Sequence, residues 1–216
     1  MAIIFEQKEF DAAVWEVEPG AHEPAAVIPS DANVGADVLS FIAVGAMLLG
    51  LGVMNTGWIT IGTVGVIFPV LIAAGIALAL LAIHAVVEKR LALAGGLGFT
   101  AAVGITYVLL GAPTLSALGN QDVTQALGMT FMVWAIVGAV IAASLLARHF
   151  FMSVVFVITD VALWIVMVSY LSPSTLSVHM AGYLTVVAAA LAFLVGLVGI
   201  VWPAGLRWTQ GVVRIS

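Results

Sequence analysis

Cysteine is missing from this 216-residue chain, which removes disulfides, thiolate metal sites and cysteine nucleophiles together. Charge is almost as scarce: 8% of residues are charged against 63% hydrophobic, and the mean hydropathy is +1.24. A soluble domain carries charge on about a quarter of its residues, so the composition implies a protein whose solvent is the lipid bilayer. Four histidines and eleven acids contain no pair of histidines at i and i+4 with a companion carboxylate, and no metal or other cofactor is expected. There is no P-loop and no dinucleotide fingerprint. The glycine-rich piece Gly95-Gly96-Leu97-Gly98 lies inside an apolar run and reads as close helix packing. No serine or threonine has a base and an orienting carboxylate near it in sequence, so an enzyme is not expected.

The little charge present is unevenly placed. The net charge of −5 comes from the start of the chain, where Glu6, Glu9, Asp11, Glu16, Glu18, Glu23, Asp31 and Asp37 lie. An acidic segment of this kind gives no support for a nucleic-acid partner. Residues 1–37 lack the basic start and long apolar core of a signal peptide and read as an acidic cytoplasmic N-terminal arm. Pro19, Pro24 and Pro29 keep its second half extended, while Phe10, Val14 and Trp15 punctuate the acids. Two readings stand: a disordered tail, or an arm that docks its aromatics on a partner subunit.

Six apolar runs follow, approximately 38–54, 59–87, 91–111, 126–146, 149–171 and 178–202, each near the length needed to cross about 30 Å of hydrocarbon. The expected fold is an all-α membrane protein, a six-transmembrane-helix bundle over 38–202, followed by a short cytoplasmic tail at 203–216. Six crossings return both termini to one side. Lys8, Lys89, Arg90, Arg148, Arg207 and Arg214 all fall on that side, which by the positive-inside rule is the cytoplasm of a plasma (inner) membrane. Trp58, Tyr107 and Tyr170 at one boundary and Trp202 and Trp208 at the other read as interface anchors. Pro69, within the second run, predicts a kink. Small residues at four-residue spacing (Gly96, Thr100 and Gly104; Gly138 and Ala142; Ala192 and Gly196) predict a compact bundle, with a homo-oligomer or membrane-complex partners as its extension.

Asp160 stands apart. It lies eleven residues from either end of the run His149 to Leu171, near the bilayer midplane, where an ionisable group is a functional-site hypothesis by default. The bland reading is a neutral carboxyl hydrogen-bonded to a neighbouring helix; the other is a group that moves protons or polar solutes. Trp164 follows one turn later on the same face, and Trp134 lies at similar depth in the fourth run. Thr100 completes a geometrically allowed path of mostly apolar character, suited to a small amphipathic solute. His84 and Glu88 form an i, i+4 pair that could pass protons but more often solvates a helix end.

The six spans and several short motifs together resemble the acetate uptake transporter family, the YaaH-like or SatP-like six-helix carriers of small monocarboxylates. Asn55-Thr56-Gly57-Trp58 matches the end of the family's first helix, Leu97-Gly98-Phe99-Thr100-Ala101 its third, Ala181-Gly182-Tyr183 the start of its sixth, and Ala147-Arg148 the basic link between its fourth and fifth. The chain departs from the family at 33–39, where Asn33-Val34-Gly35-Ala36-Asp37-Val38-Leu39 replaces a proline-rich signature, at Leu81 in place of a glutamine, and at 104–109. The resemblance implies a transporter or channel for acetate-like monocarboxylates, with protons as a second cargo. Asp160, which has no acidic counterpart in the family pattern, would from its midplane position be the protonation site, with Trp134 and Trp164 an apolar constriction and Asn55, Thr100 and Tyr183 hydrogen-bonding groups along the path. The departures and the acidic arm keep open an alternative, a non-transporting subunit that anchors a larger membrane complex.

Overall fold

The computed structural model describes residues 31–59, 61–111, 121–146, 149–172 and 175–202. The N-terminal arm up to residue 30, the tail from 203 with Trp208, and Ala147-Arg148 lie outside them. The described chain forms six helices: α1 (Asp31–Thr56), α2 (Ile61–Val87), α3 (Leu91–Gly111), α4 (Gln121–Leu146), α5 (Phe150–Leu171) and α6 (Thr175–Val201). All six contain a stretch long and apolar enough to span a bilayer. In lipid each backbone N–H and C=O needs a partner within its own segment, so long apolar runs settle as helices. The helix is continuous through Pro69, as membrane helices allow when neighbours satisfy the freed carbonyl.

Each helix packs on the next in the chain and α6 returns to α1, closing a ring, with α1 also touching α3 across it. The order follows from short links between antiparallel neighbours. Both ends of the described chain lie at one end of the ring, called here the tail end; the α1–α2 link lies at the far end. The first span of 22 residues in α1 is 56% buried and the span in α3 61%, whereas that in α2 is only 17% buried. Thus α1 and α3 form the inside of the bundle, and α2 lies against it from outside. An open apolar groove of about 550 Å³ runs between α1 and α2, lined by residues such as Ile42, Ala46, Ala73 and Ala77.

The most extensive interface, α1 against α6, is built on glycine. A Cβ added at Gly182 would lie 2.5 Å from the backbone nitrogen of Thr56 and 2.6 Å from the carbonyl carbon of Asn55. One added at Gly52 would lie 2.9 Å from the backbone nitrogen of Val186. These two backbones therefore touch directly, the close approach that small residues permit. Gly57, immediately after α1, has φ of 75°, a left-handed conformation that favours glycine. It explains the glycine of the Asn-x-Gly element. The four-residue repeats are also used: Gly96 faces Phe156 and Leu145, Gly104 faces Met47, and Gly196 faces Ile42. Within the glycine-rich piece of α3, however, Gly95 has nothing near it. Gly95→Ala is expected to raise stability by about 0.5–1 kcal/mol through helix propensity alone, measurable as a small increase in melting temperature in detergent.

Helix α1 begins roughly two turns before the apolar run read from the sequence, which brings Asp37 into the bundle. Its carboxylate is buried and pairs with Arg90 at the start of α3. Arg90 also lies 3.8 Å from Glu88, and Glu88 lies 3.2 Å from His84. Removing one member of a buried pair leaves the other without compensation and costs about 3–5 kcal/mol. The Arg90 side chain is partly exposed and has Glu88 as a second partner, so Asp37→Ala is expected to cost less, about 1–3 kcal/mol. A thermal melt in detergent checks this, with Glu88→Gln as the milder comparison.

Candidate functional site

Two small hollows lie along the α1, α3 and α5 side of the ring interior. The tail-end hollow, of about 10 Å³, is lined by Asp37, Ser40, Phe41, Leu93, His149, Phe151 and Met152. The far-end cavity, of about 20 Å³, has Leu48, Leu51 and Asn55 from α1, Val103 and Tyr107 from α3, Thr159, Ala162, Leu163 and Val166 from α5, and Thr185 from α6. Between them the bundle is filled by large buried side chains, among them Val44, Met47 and Leu97. A cavity of this size holds about one water, so a larger solute passes only when leucine and methionine side chains change rotamer.

The polar groups of the far-end cavity come from four positions. Asn55 Nδ2 donates to Tyr107 Oη at 2.9 Å, tying α1 to α3. Thr159 Oγ1 donates to the Val155 carbonyl and Thr185 Oγ1 to the Ala181 carbonyl, each at 2.8 Å, so both threonines spend their protons on their own helices. The Tyr107 ring is held by aromatic packing: Phe131 of α4 lies 5.0 Å away between centroids and itself stacks on Tyr170 of α5 at 5.5 Å.

Asp160 follows Thr159 in the chain and points elsewhere. One residue turns a helix by about 100°, and Asp160 accordingly faces α4 rather than the cavity. Its Oδ1 lies 2.6 Å from where a Cβ on Gly138 would be, and that position is 3.1 Å from Phe99 Cζ. Phe99 in turn meets Trp134 edge-on at 5.8 Å and Phe156 at 6.0 Å. Trp164, one turn on, neighbours the carboxyl, and Oδ1 is buried with no partner among the described residues. A buried acceptor left without a donor is costly and calls for an explanation.

The six residues singled out from sequence thus divide. Asp160, Trp134 and Trp164 gather near Gly138 at the α4–α5 seam. Asn55 lines the far-end cavity. Thr100 is buried but donates to the Gly96 carbonyl of its own helix at 3.0 Å and lines neither hollow. Tyr183 is 47% exposed and packs edge-on against Trp58 at 5.7 Å, on the outer surface of the bundle. Tyr107 and Thr185 are the cavity residues that sequence reasoning missed. Tyr107 reads as an interface anchor from its position near a helix end; in the structure it is 9% exposed. Its spacing carries no signal of the Asn55 partner on another helix. Among the described residues, no group of three or more acids and histidines is arranged to hold a metal.

Neither a family model nor a curated protein matches the sequence. Comparison with solved structures finds the bacterial acetate channel SatP, at a TM-score of 0.67 and 18% identity, with 84% of this chain and 98% of that one aligned. This chain has the SatP fold. SatP itself is a bacterial acetate channel, and the resemblance seen in short motifs extends as a shared fold over most of this chain. At 18% identity the likeness shows the fold, and the site has to be argued from this chain's own residues, since fold alone does not carry function.

Proposed function

We propose that this protein is an integral, multi-pass transporter or channel for acetate-like monocarboxylates, coupled to protons, with both termini in the cytoplasm. The observation that supports the reading best is the far-end cavity itself: a polar group, the Asn55–Tyr107 pair, set among leucine, valine and alanine side chains in the middle of a closed ring of spans. The SatP likeness gives the ring a precedent as an acetate channel. A short monocarboxylate has one strongly accepting head and one apolar tail, and that interior offers a counterpart to each.

Asp160 is the proton-carrying group in this reading, one residue away from the cavity wall on the back of the same helix, and Trp134 and Trp164 flank it. Placing Lys89 and Arg90 on the cytoplasmic side follows the positive-inside rule; a reporter fused to the C-terminus that is active only outside the cytoplasm would contradict it. The function is tested by uptake of labelled acetate into proteoliposomes. Uptake above that of empty vesicles is expected, and uptake equal to theirs rejects transport.

A further inference from the structure

The Asn55–Tyr107 pair has chemistry that goes beyond passage in general. Tyr107 Oη accepts from Asn55 Nδ2, which leaves the phenol proton for another acceptor. An amide nitrogen carries two protons, so Asn55 keeps a second donor as well. The other two polar groups of the cavity, Thr159 and Thr185, have donated their protons to their own helices. The cavity therefore offers two uncommitted protons, from Tyr107 and Asn55, beside the threonine hydroxyl oxygens, with no fixed charge and a surrounding wall of Leu48, Leu51, Leu163 and Val166. A phenol proton and an amide proton in an uncharged apolar cavity suit a carboxylate head, which accepts on both oxygens and bonds more strongly than a neutral acceptor. The aromatic packing through Phe131 and Tyr170 keeps the phenol fixed in direction, so the donor is pre-organised.

The geometry points to Asn55 and Tyr107 as the carboxylate-selecting site of this protein, with the phenol proton donated to one carboxylate oxygen and the alkyl tail lying among the leucines. This rests on the transport reading above. It concerns which solutes pass, whereas Asp160 concerns the proton.

The test compares labelled acetate with acetamide, a neutral molecule of nearly the same shape that brings donors of its own, in proteoliposomes at mildly alkaline pH with empty vesicles subtracted. Tyr107→Phe keeps the ring stack and removes only the hydroxyl. The expected result is an acetate-to-acetamide ratio lowered about tenfold, the size of a lost hydrogen bond to a charged group, with acetamide passage unchanged. A ratio in the variant equal to that of the wild type overturns the assignment while leaving transport standing, and it covers the case in which both solutes slow together through a packing defect. Absence of acetate uptake by the wild type overturns the assignment and the transport reading at once. Should Tyr107→Phe fail to yield monodisperse protein, Asn55→Ser, too short to reach Tyr107, is measured by the same ratio with the same two outcomes.

Discussion

Asp160→Asn is expected to abolish the stimulation of acetate uptake by an inward proton gradient and to lower uptake about tenfold or more, while leaving the bundle folded. A carboxylate at the bilayer centre costs about 2.5–3.5 kcal/mol even on the most lenient scale, and each 1.4 kcal/mol is a factor of ten. A solute anion crossing the same depth faces that cost unless a proton moves with it. Asp160 lies at the middle of α5, with Oδ1 buried and without a partner among the described residues, and in the proposed function it holds such a proton next to the cavity wall. Asparagine has the same shape and stays neutral, so the variant removes proton exchange without opening a void. Its melting temperature is expected to equal or slightly exceed that of the wild type, because a buried acceptor lacking a donor stabilises nothing. The competing view, in which the carboxyl merely joins α5 to α4, expects the opposite pair of results: a lower melting temperature and unchanged gradient-driven uptake. Measuring both quantities on one preparation separates the two.

Gly182→Ala carries the largest expected effect on stability. Most substitutions of glycine by alanine inside a helix stabilise it slightly, as expected above at Gly95. At Gly182 the new methyl group would meet the backbone of Asn55 and Thr56 at 2.5–3.0 Å, and backbone atoms cannot move aside by a rotamer change. The helices α1 and α6 must separate, and they share the largest interface of the ring. Overpacking of this kind typically costs about 1–3 kcal/mol and occasionally more, so the loss is expected at the upper end of that range. Because Asn55 is one of the residues displaced, acetate passage is expected to fall with stability. A melt in detergent of Gly182→Ala beside Gly95→Ala measures the contrast; equal melting temperatures for the two would mean that α1 and α6 do not cross at Gly182.

Gly138 sets a smaller, related constraint. Its missing side chain makes room for the Asp160 carboxyl and the edge of Phe99, so the spacing of Gly138 and Ala142 serves the site as well as the packing. The buried Ser153 hydroxyl, which donates across to the Ala142 carbonyl at 2.7 Å, holds α4 and α5 together one level nearer the tail end. The acid therefore sits in a seam that is tied together on its tail-end side.

What the amino-acid sequence by itself determined is the number of spans, their order, and that the one mid-membrane acid lies on the fifth. Hydrocarbon tolerates only helices with internally satisfied backbones, so six long apolar runs have one reading. It also determined that glycine and alanine would mark the close crossings, as at Gly96, Gly104 and Gly196. What only the tertiary structure decided is which way each helix is turned. Helices apolar on every side have no polar face to orient them, and so Thr159 and Asp160, neighbours in the chain, could not be assigned to opposite sides of α5 beforehand. The same cause hid Tyr107, whose partner Asn55 is 52 residues away, and left Tyr183 on a path although it faces outward. Asp37 escaped notice for a different reason: its partner Arg90 comes from the α2–α3 link, and only the contact of α1 with α3 across the ring makes an acid of the N-terminal segment part of the core.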